Sequence, residues 1–127
     1  MFRAKVSFQS LVGKTLSAVN VHSDNYRMDF VTSDGQIFRL YHEQDCCEDV
    51  SIEDICGDLL DLIGSPILLA EEVESDKNPD DIEKKWQESF TWTFYKLATI
   101  KGSVTIRWYG ASNGYYSESV SFAQVSQ

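Results

Sequence analysis

Residues 51–66 read SIEDICGDLLDLIGSP, and the period assigned to this stretch decides the fold class. Ser51 followed by Asp54 has the spacing of a capping box at a helix N-terminus. Ile52, Ile55, Cys56, Leu59, Leu60 and Ile63 then recur at helical intervals, leaving Glu53, Asp54, Asp58 and Asp61 on the opposite side. Early acids favour the positive end of a helix dipole, and Gly64 and Pro66 supply the stop. The pattern predicts an amphipathic helix of about 12 residues. Cys56, inside the apolar stripe, is expected to be a buried structural thiol.

On either side the period falls to two. Toward the N-terminus, a short segment from Val6 to Phe8 and a turn over Ser10–Lys14 precede a strand from Leu16 to His22. Tyr26, Met28 and Phe30 alternate with Arg27 and Asp29, as in a half-buried strand. Ser33-Asp34-Gly35 turns that strand into one running from Gln36 to Glu43, which makes a meander. Toward the C-terminus, strands are predicted over Pro66–Glu74, Phe90–Ile100, Val104–Tyr109 and Glu118–Gln124. Between them lie a polar loop over Ser75–Glu83 and a short helical turn over Asp81–Gln87. The expected fold is α+β: an antiparallel sheet of six or seven strands with one principal helix, in a single domain over residues 1–127.

The charge is unevenly spread. Of a net −9, residues 43–83 carry 15 acids against Lys77 alone, whereas residues 1–42 are net +2 and residues 84–127 net +3. An acidic surface repels polyphosphate, so direct nucleic-acid binding is not expected. The acidic region 43–83 would suit a basic protein partner, and solubility is its plainer explanation. No apolar run reaches the roughly 20 residues of a membrane span, and the first residues have no signal-peptide pattern. A cytoplasmic protein is expected. Three cysteines, Cys46, Cys47 and Cys56, give no disulfide framework, because a bond between adjacent residues would be strained.

Catalytic and metal motifs find no support. His42-Glu43-Gln44-Asp45-Cys46-Cys47-Glu48 has the residue types of a metal site but the wrong spacing for a zinc pair. It reads better as a strand-to-helix turn that satisfies buried backbone groups. No phosphate-binding glycine loop and no nucleophile elbow occurs. The reading is therefore non-enzymatic, with no cofactor and no metal.

The segment from Ile106 to Ser117, IRWYGASNGYYS, gathers one guanidinium, an amide and four aromatics about a hairpin tip. Arg107 offers a planar fork for phosphate, and Tyr109, Tyr115 and Tyr116 offer faces for a base. With Asn113 they form the candidate ligand-binding set, for a small nucleotide-like molecule. The competing reading makes Trp108 core, Asn113-Gly114 a turn, and Arg107 the partner of a nearby carboxylate.

The strings YHEQDCCEDVSIEDICGDLLDLIGSPI and WTFYKLATIKGSVTIRWYGASNGYYSESV resemble a family of small phage and prophage proteins carried as a domain of unknown function. The resemblance spans residues 11–123 and implies a phage setting rather than a reaction. In size and element order the chain is also similar to the first Thoeris anti-defence family, whose members form oligomers and sequester a cyclic ADP-ribose isomer. That family's ligand residues do not match position by position, so none is carried over. The resemblance implies an oligomeric anti-defence protein that sequesters a cyclic nucleotide immune signal. The alternative is an acidic inhibitor, of the anti-CRISPR or another anti-defence type, that imitates a polyanion.

Overall fold

A computed structural model describes residues 2–77 and 89–126. The expected helical turn over Asp81–Gln87, and the loop beyond residue 77, lie outside the described residues. Among these residues nine strands form two antiparallel sheets: β1 (Phe2–Lys5), β2 (Leu16–Val21), β3 (Arg27–Thr32), β4 (Ile37–Tyr41), β5 (Glu48–Cys56), β6 (Leu69–Ser75), β7 (Ser89–Thr99), β8 (Gly102–Ser112) and β9 (Ser121–Ser126). The first sheet runs β1-β9-β4-β3-β2 and the second β5-β8-β7-β6. The antiparallel sheet and the β2-β3-β4 meander agree with the sequence reading. The principal helix and the single sheet do not.

The stretch read as a helix is instead strand, glycine turn and 3-10 turn. β5 pairs with β8, and its register shifts between Ile52 and Asp54, so Glu53 is the extra residue of a bulge. Ile52 faces Trp108 and Ile55 faces Ile106, both on the inner side. One inserted residue thus turns a period of two into the i, i+3 spacing that mimics a helix. Gly57 then takes φ +108°, a region closed to most side chains. A Cβ there would stand 2.6 Å from the Ser103 carbonyl oxygen. Asp58 caps a 3-10 turn over Leu59–Leu62 by accepting from the Leu60 N–H at 3.0 Å. Magnitudes explain the outcome: a 12-residue helix is marginal alone, and Gly57 inside it would cost about 1 kcal/mol. Burying Val50 and Ile52 contributes roughly 1.5–3 kcal/mol each. Cys56, expected inside, is exposed, because it follows Ile55 on the outward side.

The inner faces enclose one apolar cluster. From the first sheet come Met28, Phe30, Phe38, Leu40 and Phe122, and from the second Val50, Ile52, Leu97, Val104, Ile106 and Trp108. Phe8, in a 3-10 turn over Phe8–Leu11, joins them: its ring lies 4.7 Å from Tyr95 and 5.1 Å from Phe122. The Asn25 carbonyl oxygen, in the turn before β3, accepts from the Ile52 N–H at 2.8 Å and ties the sheets at the other end. Charge follows the sheets. Strands β1, β3 and β4 hold Arg3, Lys5, Arg27 and Arg39 against Asp29, whereas β5 and β6 hold seven acids and no cation.

Candidate functional site

Alternation on β3 and β4 turns Met28, Phe30, Phe38 and Leu40 inward and therefore presents Arg27, Asp29, Arg39 and Tyr41 outward. The register sets Arg27 opposite Tyr41 and Asp29 opposite Arg39. Arg39 makes a two-pronged ion pair with Asp29, Nε–Oδ1 2.7 Å and Nη2–Oδ2 3.1 Å. This bond holds the Arg39 pKa above its ordinary value and fixes the guanidinium flat on the sheet. Arg3, from β1, lies over the Tyr41 ring at 4.7 Å. Among the described residues, neither Arg3 nor Arg27 has a carboxylate within 4 Å.

These side chains line a cleft of about 260 Å³ on the outer face of the first sheet, with His22, Asp24, Tyr26 and His42 around it. Two anchors hold Tyr26: its N–H donates to Asp24 at 2.9 Å and its hydroxyl to Asp49 at 3.1 Å. The first bond lowers the Asp24 pKa, and the second raises that of Tyr26. The half-exposed Tyr26 ring therefore stands as a fixed wall. Beyond it a second hollow of about 350 Å³ shares Tyr26 and His42 and adds Gln44, Glu48 and Asp49. The cleft is thus cationic at one end and hydrogen-bond accepting at the other.

His42 and Glu48 form its floor. Both side chains are buried, with Nε2 3.0 Å from a Glu48 carboxylate oxygen and Nδ1 2.7 Å from the Ser119 carbonyl oxygen. Burial alone would raise the Glu48 pKa, but the His42 bond and the Cys46 and Asp45 N–H donors more than offset it and leave a net lowering. The motif from His42 to Glu48 therefore satisfies buried groups, as expected, but it joins strand β4 to strand β5 rather than to a helix. Cys46 and Cys47 pair with each other as neighbours, which links no separate elements of the fold and builds no disulfide framework.

The residues singled out in the sequence lie on the other sheet. Arg107 sits on the outer side of β8, with Nε 2.5 Å from Glu53 and Nη2 4.0 Å from Asp54, and its guanidinium is 5.3 Å from the Trp92 ring. Tyr109 packs on Trp92 at 4.5 Å and faces Phe90 at 6.4 Å. Arg107 and Tyr109 thus share one aromatic face, but the arginine fork is engaged by carboxylate. Asn113 closes a turn by accepting from the Tyr115 N–H at 3.1 Å. Tyr115 is 88% exposed and Tyr116 half-buried. Trp108 is core. Arg3, Arg27, Arg39 and Tyr41 were missed because they come from three strands. Their signal was a cation at the outward position of each.

Comparison with known proteins gives a family and little else. The model described as Domain of unknown function (DUF7448) matches residues 9–122. No curated protein and no solved structure matches the chain.

Proposed function

We propose, for a chain that belongs to this DUF7448 family and takes no assigned activity from it, that it is a binding protein for a small phosphorylated, planar ligand. The ligand enters the arginine-lined cleft and is held without turnover. One observation carries this reading: Arg3 and Arg27 present guanidinia beside Tyr41 and Tyr26 with no carboxylate within 4 Å among the described residues, Asp24 acting on Arg27 only from farther off. In a chain of net −9, acids to pair with them are abundant. Phosphate suits the two forks, a flat ring suits the Tyr26 wall, and exocyclic donors suit Asp49. Sequestration of a cyclic nucleotide signal by a phage-type protein, as the resemblance implies, is one form of this activity. Self-association, expected from the same resemblance, belongs to it.

Calorimetry with cyclic ADP-ribose isomers, cyclic dinucleotides and inorganic phosphate tests the reading. Arg27→Ala is expected to weaken binding at least tenfold, as removal of a charge-assisted bond worth about 1.5–3 kcal/mol does, with the melting temperature unchanged. Arg107→Ala is expected to bind as wild type. Wild-type affinity in Arg27→Ala, with a loss in Arg107→Ala, returns the site to the β8 hairpin. Absence of binding across the panel rejects the ligand class.

A second reading, the acidic inhibitor, is favoured by Glu71, Glu72 and Glu74, all exposed on the edge strand β6. It expects association with a basic protein that weakens steeply with salt. Within the acidic region 43–83, Glu53 and Asp54 turn to Arg107, and Asp58 caps the 3-10 turn.

A further inference from the structure

The four most exposed large aliphatic side chains among the described residues are Ile100, Leu60, Leu68 and Val12, from 84% at Ile100 to 49% at Val12. They are distant in sequence, yet the backbone ties the segments that carry them side by side. Gly13, next to Val12, donates its N–H to the Ile67 carbonyl oxygen at 2.8 Å, and the Leu68 N–H donates to Ala98 at 2.8 Å. Ile100 and Lys101 make the turn between β7 and β8, where the Lys101 ammonium donates to the Ile63 carbonyl oxygen at 2.6 Å. The Thr99 hydroxyl reaches the Asp61 carbonyl oxygen, next to Leu60. All four aliphatic residues therefore stand at one end of the two sheets. The arginine cleft lies toward the other end, since His22, Asp24 and Tyr26 belong to the turn between β2 and β3. Single exposed apolar residues are ordinary, whereas a group of them rimmed by polar residues marks an interaction surface.

We propose that this end is the contact through which two copies of the chain pair about a two-fold axis. Such a contact must be complementary to itself, and the rim of this end carries both signs of charge. Lys101 is exposed and has no carboxylate within 4 Å among the described residues, and the Ile63 bond leaves two of its three N–H groups to a partner. Asp58 is exposed one residue before the 3-10 turn that holds Leu60, and the Asp61 carboxylate lies over Gly102, beside Lys101. A second copy turned by half a revolution sets lysine toward aspartate twice while the aliphatic residues leave water. The strands β5 and β6, with seven acids and no cation, would repel their own copy. An anionic lipid surface would meet the two aspartates of the rim.

Sedimentation velocity of the full chain across a concentration series tests the proposal. A species of twice the chain mass is expected, with a Kd in the micromolar range. Leu60→Lys and Ile100→Lys set a charge within the contact, and each is expected to weaken pairing at least tenfold. Both side chains already face water, so the melting temperature of the monomer is expected to stay the same. Tyr115→Lys changes an equally exposed side chain beyond the far end of β8 and is expected to pair as wild type. A chain that stays monomeric at about 100 µM, well above a micromolar Kd, overturns the proposal. So does wild-type pairing in either Leu60→Lys or Ile100→Lys, or pairing lost in Tyr115→Lys alone. A monomer that instead pellets with vesicles of phosphatidylcholine and phosphatidylglycerol also overturns it and gives this end to a lipid surface. Calorimetry with the small phosphorylated ligands reads the arginine cleft separately, so either site can fail without the other.

Discussion

Glu48 is a carboxylate whose support exists only in the folded chain: His42 on one oxygen, and the N–H groups of Asp45 and Cys46 around it. Its native pKa lies below the ordinary 4.5. The stabilisation is therefore fully present above that value and is lost as pH falls through the lowered native one. Glu48→Gln is expected to lower stability at neutral pH and to flatten the acid limb of the stability curve between about pH 5 and pH 2. Urea unfolding across that range checks it. An acid limb as steep in the variant as in wild type would assign the loss to other carboxylates. At this scale much was legible: Trp108 as core, Asn113 in a turn and the His42–Glu48 turn all follow from local chemistry. The Arg3–Arg27–Arg39 cluster does not, since it depends on which strands become neighbours.

The strands β3, β4 and β8 could be read because polar residues at outward positions break the apolar run, Arg27 and Asp29 on β3, Arg39 on β4, Thr105 and Arg107 on β8. β5 could not, because its bulge shifts the pattern by one residue and its only marker is Gly57 at φ +108°. The bulge makes a sharp expectation. Deleting Glu53 restores regular alternation, with Ile52 and Ile55 still inward and Asp54 still opposite Arg107. The cost is expected to be about 1–2 kcal/mol, the lost Arg107 pair contributing at most about 1. Deleting Ser51 instead turns Val50 outward, and loss of that burial together with the disturbed ladder is expected to cost more than 3 kcal/mol. Chemical denaturation of the two deletions measures the difference. Equal costs would show that the bulge is not what carries the register of β5.

Across the whole molecule, the separation of charge between the two sheets has a consequence for ligand size. Arg3, Arg27 and Arg39 gather at one cleft, while β5 and β6 place seven acids on the other sheet. Packed sheets lie about 10 Å apart, close to the Debye length of roughly 8 Å at physiological salt. A ligand that fits within the cleft meets the arginines at contact and the acids only through screening. A duplex laid on the same face extends past the sheet edge, where the field of the acidic second sheet repels its phosphates. The chain is therefore expected to bind mononucleotide-sized phosphates but not duplex DNA at about 0.15 M salt. Substituting Glu71→Gln and Glu74→Gln together is expected to leave the small-ligand Kd within about twofold while raising duplex retention at low salt. Fluorescence anisotropy with labelled duplex, beside calorimetry with the small ligand, separates the two effects. Duplex binding by the unaltered chain at that salt would mean that the basic face reads backbone phosphates in series, and that the cleft is one stop on a longer track.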